Sequence, residues 1–175
     1  MSGLSSLIEA IEKLKRNEVR NIIDARIREF LENRRKSPAE IFKELCFCIL
    51  TANFSAEKSI KIQSEIDNGF LNLSKSKLAE RLRILGHPYP NARAKYIVEA
   101  RKVINQLWEI LRSPHDEKSI REWLVKNVKG IGYKEASHFL RNMGFTNVAI
   151  VDRHILSVLT KYKLIKKRKS LSRLK

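Results

Sequence analysis

The sequence predicts an all-α protein. Glycine and proline are scarce, at 6 and 4 residues of 175. No stretch alternates between apolar and polar residues with the period of a strand, whereas apolar residues recur at helical spacing along most of the chain. Leu4, Leu7, Ile8, Ile11 and Leu14 define a first helix. Val19, Ile22, Ile23, Ile27, Phe30 and Leu31 define a second. Ser37-Pro38 is a start signal, a capping serine followed by proline at the first helical position. The run Ile41 to Leu50 behind it is apolar on most sides and reads as a buried central helix.

A turn is expected at Thr51-Ala52-Asn53-Phe54-Ser55, and Ser55 opens a helix that Asn68-Gly69 closes with a left-handed cap. Ser74 opens the next, which ends at Gly86. His87-Pro88-Tyr89-Pro90-Asn91 is a proline-rich loop, and a long helix follows from about Ala92 to Leu111. Ser113-Pro114 breaks it, and Ile120, Trp123, Leu124 and Val128 mark a short helix. A glycine hairpin then leads into a helix from about Lys134 to Met143. Gly144, an extended apolar link over Val148 to Val151, and a final helix from Asp152 complete the pattern. No internal repeat or long linker interrupts the chain, which reads as a helical domain over 1–165 and a basic tail over 166–175.

Lysine and arginine number 36 against 19 acids, a formal charge of +17. Such a field attracts polyanions and speeds their encounter. Nucleic acid is the commonest partner for this balance; an anionic membrane surface and a merely solvated lysine-rich face are the alternatives. No apolar run approaches the roughly 20 residues of a spanning helix, and the start lacks the features of a secretory leader. A cytoplasmic, nucleoid-associated monomer is expected. Cys46 and Cys48 are the two cysteines. They are too few for a four-thiolate site and face different sides of a helix, so buried thiols are expected, with no metal and no cofactor. In the tail, Lys166-Lys167-Arg168-Lys169 reads equally as a phosphate-tracking run or a frayed end.

The chemistry concentrates at Lys129-Gly130-Ile131-Gly132-Tyr133-Lys134. Gly130 and Gly132 permit positive φ and close approach of the backbone to a bulky group. The helix behind them offers unpaired amides and a positive dipole end, which together bind phosphate. Lys129 is placed to add a charged contact; an ordinary helix–turn–helix corner is the bland alternative. Lys134 falls in the first helical turn, where acids are preferred over lysines, which hints at function. A helix N-terminus, burial and neighbouring cations each disfavour a charged amine, and a neutral amine attacks carbon to form a Schiff base. Asp152 reads as the N-cap of the last helix. A carboxylate held that way can also steady positive charge developing on a sugar.

Gly130-Ile131-Gly132-Tyr133-Lys134, with Asp152 further on, resembles the helix–hairpin–helix DNA glycosylase superfamily. Four blocks narrow the likeness. They are Cys46-Phe47-Cys48-Ile49-Leu50-Thr51-Ala52-Asn53-Phe54-Ser55-Ala56-Glu57, Gly86-His87-Pro88-Tyr89-Pro90, Lys129 through Asn142, and Ala149-Ile150-Val151-Asp152-Arg153-His154. In this order, over residues from about 20 to 165, they look like the second type of 8-oxoguanine DNA glycosylase of archaea and bacteria.

The resemblance implies a fold of two helical subdomains with the active site between them and the helix–hairpin–helix at 117–143. It implies a bifunctional enzyme on double-stranded DNA containing an oxidised purine, with Lys134 as nucleophile, Asp152 as catalytic carboxylate, and Lys129, Gly130 and Gly132 on the DNA backbone. Asn53 falls where relatives set a polar side chain into the gap left by the extracted base; Phe54 and His87 are further candidates for that region. Members continue past the aspartate helix to a terminal lysine carboxylate that helps form the base pocket. Lys175 follows Ser170-Leu171-Ser172-Arg173-Leu174, which does not match that segment, so a C-terminally shortened chain is expected. A glycosylase for another damaged base, or a non-catalytic DNA binder, are the alternatives; a pure binder needs the glycines but not the Lys134 and Asp152 pair.

Overall fold

A computed structural model describes residues 2–166. The described residues form helices and connecting turns, with no strand among them. The helices are α1 (Gly3–Leu14), α2 (Val19–Asn33), α3 (Pro38–Thr51), α4 (Ala56–Ile66), α5 (Gly69–Asn72), α6 (Lys75–Ile84), α7 (Pro90–Ala100), α8 (Ile104–Ile110), α9 (Glu117–Asn127), α10 (Tyr133–Asn142) and α11 (Arg153–Lys161). The chain divides into two compact units, Met1–Glu29 with Ile150–Lys175 and Phe30–Ala149.

Most starts follow from local chemistry. The Ser37, Ser55 and Ser74 side chains accept from Glu40, Lys58 and Lys77 amides, each supplying one of the acceptors that a helix start lacks. Asp116 caps α9 by accepting from the Lys118 and Ser119 amides. In the larger unit α3 is the axis. Phe42, Leu45, Cys46, Ile49 and Leu50 are fully buried. Around them pack Ile62 of α4, Phe70 of α5, Leu82 of α6, Ile97 of α7, Leu107 of α8 and Phe139 and Leu140 of α10. Cys46 and Cys48 are free and buried within this core, and burial pushes both thiols well up.

Three expectations are corrected. The helix read over 92–111 is interrupted by a 3-10 turn at Arg101–Val103, which separates α7 from α8. There the Arg101 guanidinium donates to the carbonyls of Phe70 and Gly69, a tertiary contact that periodicity does not record. The left-handed residue closing α4 is Asp67 at φ 42°, not Gly69, which instead begins α5. Lys43 Nζ, 2.6 Å from the Asp67 carboxylate, ties that strained residue to α3. The apolar link 148–151, expected to bury the approach to Asp152, is not buried throughout: Ala149 and Val151 are exposed.

In the smaller unit the helical spacing holds but its burial does not. Leu4, Ile8, Ile11 and Leu14 of α1 and Val19, Ile22, Ile23 and Ile27 of α2 are exposed. Within that unit the start of α1 closely meets the end of α11, since a Cβ on Gly3 would fall 1.8 Å from the Tyr162 carbonyl oxygen. No helix among the described residues is long and apolar enough to cross a membrane. Of the basic run, Lys167-Arg168-Lys169 lies outside the described residues, as does Lys175.

Phe42 is fully buried in the core around α3. Phe42→Ala is expected to lower unfolding free energy by about 3–5 kcal/mol, read from denaturant melts.

Candidate active site

Within the larger unit α9, the hairpin 128–132 and α10 form the helix–hairpin–helix. The two hairpin glycines differ. Gly130 has φ +87°, and a Cβ there would lie 2.4 Å from Cδ2 of Tyr96. Both handedness and the Tyr96 ring exclude a side chain. Gly132 instead is extended, at φ −99° and ψ −176°, so the expected positive φ applies to Gly130 alone. A Cβ on Gly132 would meet only the Glu135 carboxylate, at 3.1 Å.

Gly132 is the N-cap of α10 and, lacking a side chain, makes no side-chain cap to the first-turn amides. Glu135 reaches back, its Oε2 accepting from the Gly132 amide at 3.3 Å. Its Oε1 lies 3.1 Å from Lys134 Nζ. The Lys134 side chain is 40% exposed, so the expected burial is not found, and its ion-pair partner is the Glu135 carboxylate. Lys129 is exposed, with Nζ 4.0 Å from the Glu99 carboxylate. Asp152, in the smaller unit, caps α11 by accepting from the Ile155 amide at 2.9 Å.

The turn after α3 brings Asn53 and Phe54 to the surface of the same unit as the hairpin. Asn53 is exposed and held at φ 59°, a conformation that asparagine tolerates better than most residues. Phe54 is half-buried, its ring centroid 4.5 Å from that of His87. His87 itself is 3% exposed. Its Nε2 lies 3.1 Å from the Leu50 carbonyl, and its Nδ1 accepts from the Tyr89 amide at 3.1 Å. With both nitrogens engaged inside the fold, His87 supports the loop under Phe54 and does not present a side chain to a ligand.

Two residues were not singled out in sequence. Glu135 had a signal, the spacing of Gly132 and Glu135 that matches an N-cap and the residue three on. Arg93 had a fainter one. It shares the buried phase of α7 with Ile97 and Ala100, where an arginine is out of pattern.

The His87 hydrogen bonds require the neutral ring, whose Nε2–H donates while Nδ1 accepts. Burial pushes its pKa below the ordinary 6.5. The unfolded chain therefore takes up a proton before the folded one as pH falls. The stability from neutral His87 is full above its unfolded pKa and declines as pH drops below it towards the folded value. The melting temperature should fall between about pH 7.5 and pH 5.5, and the slope should flatten in His87→Gln, which can still donate to Leu50.

Residues 23–175 match the model of the family described as 8-oxoguanine DNA glycosylase. The 8-oxoguanine DNA glycosylase/AP lyase of Korarchaeum cryptofilum is 54% identical over 172 residues, 98% of this chain and 81% of that protein. That of Methanocaldococcus jannaschii is 58% identical over 150 residues, 86% and 72% of the two chains. The crystal structure of the Methanocaldococcus jannaschii 8-oxoguanine glycosylase/lyase in complex with 15mer DNA containing 8-oxoguanine superposes with a TM-score of 0.91, at 54% identity, over 96% of this chain and 81% of that one. The 8-oxoguanine DNA glycosylase of Thermotoga maritima superposes with a TM-score of 0.88 at 42% identity, over 96% and 80%. On sequence and fold alike, the chain belongs to the helix–hairpin–helix 8-oxoguanine DNA glycosylase family.

Proposed function

We propose that this chain is a bifunctional DNA glycosylase and AP lyase that removes 8-oxoguanine from duplex DNA. Its relatives carry that activity in their names. The observation that carries the reading to this chain is Lys134. An amine stands in the first turn of α10, directly behind a glycine hairpin whose helix start has no side-chain cap from Gly132. A pure DNA binder needs such a hairpin but has no use for the amine.

The chemistry follows from the residues. A base inside a stacked duplex is unreachable, so it is rotated out at a cost of a few kcal/mol. The hairpin backbone around Gly130 and Gly132, with Lys129, takes the phosphates, an affinity that falls with salt. Asn53 enters the gap left by the base. The Lys134 nitrogen bonds to C1′ as the C1′–N9 bond breaks, and the purine leaves with that electron pair and a proton. Asp152 stabilises the positive charge that develops on the sugar. Ring opening leaves an iminium between C1′ and Lys134, which acidifies the C2′ proton. Loss of that proton and of the 3′ phosphate group breaks the C3′–O3′ bond and nicks the strand.

Borohydride trapping tests this on duplexes carrying 8-oxoguanine, an abasic site or no lesion. A covalent adduct on the first two is expected, absent in Lys134→Gln, with DNA binding retained. An adduct on the abasic duplex alone would move the substrate to another base. No adduct on any duplex, with binding intact, would leave a non-catalytic binder. Asp152→Asn should keep the α11 cap, because asparagine also caps, yet slow base release by about 100-fold. Unchanged release in single-turnover assays would remove Asp152 from the mechanism.

A further inference from the structure

Arg93 is 7% exposed on α7. Burying a guanidinium is costly unless its donors are used, and burial pulls this one below its ordinary pKa, against the opposing fields of Tyr96, Glu135 and Tyr89. An aliphatic residue in phase with Ile97 would fill the space at less cost. What the arginine adds is a planar fork of donors.

The fork is used in a particular way. Its Nη2 donates to the carbonyl of Ala52, the C-cap of α3 at φ −64° and ψ 111°. Ala52 immediately precedes Asn53, whose φ is 59°. The guanidinium carbon lies 5.7 Å from the Tyr89 ring centroid and 5.9 Å from that of Tyr96, within cation–π range. Tyr96 in turn packs on Gly130 of the hairpin. Nε is buried with no hydrogen-bond partner, so the side chain tolerates an unpaired donor to keep this position. One side chain thus meets the turn bearing Asn53, the loop bearing Tyr89 and the tyrosine under the hairpin.

We infer that Arg93 is a positioning residue for base excision: by holding the Ala52 carbonyl it sets the backbone of Asn53 and fixes that turn in register with the hairpin. The inference rests on the glycosylase reading and on the gap-filling role given there to Asn53. Extraction of a base needs the gap filled, whereas β-elimination at a preformed abasic site has no base to extract. Loss of Arg93 therefore falls on the first reaction.

The full chain is assayed under single turnover for base release from an 8-oxoguanine duplex and for nicking of an abasic duplex, alongside thermal melts. Arg93→Met is expected to slow base release about 10- to 100-fold while abasic nicking stays within about threefold, since misplacement of a group by about 1 Å carries penalties of that size. Arg93→Lys, which keeps a cation and a donor, should recover part of the loss. Adding Asn53→Ala to Arg93→Met should cost little more, because the two act through one element. Equal slowing of both reactions, unchanged base release in a folded Arg93→Met, or losses that multiply with Asn53→Ala would each overturn the role. If Arg93→Met does not fold, the same cycle with Arg93→Lys decides by the same criterion. No base release by the unsubstituted chain overturns the glycosylase reading and this inference with it; release with multiplying losses overturns the inference alone.

Discussion

The close approach of Tyr96 to Gly130 governs the hairpin. The ring occupies the space a side chain at 130 would need, and the backbone there has the left-handed φ that costs other residues about 1–2 kcal/mol. With that turn set, the chain leaves it extended at Gly132 and enters α10. Ala136, Phe139 and Leu140 then bury in the core around α3. Lys134 is left half-exposed on the first turn of a helix that cannot rotate without unburying those three. A flexible side chain so becomes a defined amine because a ring packs on a glycine four residues earlier in the chain.

The end of α3 obeys a different constraint. The last carbonyls of a helix have no partner within it and must find one elsewhere. Here each is met. Thr51 Oγ1 donates to the Cys48 carbonyl at 2.9 Å, and the Phe54 amide donates to the Thr51 carbonyl at 3.1 Å. The His87 Nε2 takes Leu50 and Arg93 takes Ala52. The two long-range ties come from the loop before α7 and from α7 itself, so satisfying buried acceptors also fastens that loop and the Asn53 turn to the core. The cation of Arg93 stands at the negative end of the α3 dipole, where charge is favourable.

What could be read in advance was what residues do to their own backbone. Ser37, Ser55, Ser74 and Asp152 cap the helices they precede because the capping oxygen reaches an amide two or three residues away, a contact written in neighbouring letters. The buried run Ile41 to Leu50 and the hairpin with Lys134 are equally local. Features set by distant partners were not legible. Arg101 breaks a continuous helical pattern by binding carbonyls of Gly69 and Phe70. Asp67, two residues before a glycine, takes the left-handed position, and Lys43 reaches it there from α3. Arg93 looked like one more cation in a chain of +17. His87 read as a base-gap candidate in a proline-rich loop, yet its ring nitrogens bridge two backbone groups inside the fold. The apolar stripes of α1 and α2 show the reverse: spacing gives a helix its face but not what covers it.

Glu135 is the site residue whose signal was local and passed over, and its chemistry bears on how Lys134 can work. An acid at this position of a helix complements the dipole and, through Oε2, accepts from the amide of the N-cap residue Gly132. The same carboxylate pairs with Lys134 through Oε1. An ammonium has no lone pair, so for the proposed chemistry Lys134 must leave the carboxylate and give up its proton, while Glu135 goes on building the hairpin. Exposure decides that the ion pair is the one to yield. The Lys134 side chain is 40% exposed, so water can replace its partner, whereas the hairpin contact rests on a turn already fixed by Gly130 and Tyr96. Lys134 can therefore leave Glu135 at little cost while Oε2 remains on Gly132, and the amine is freed without unmaking the turn that aims it.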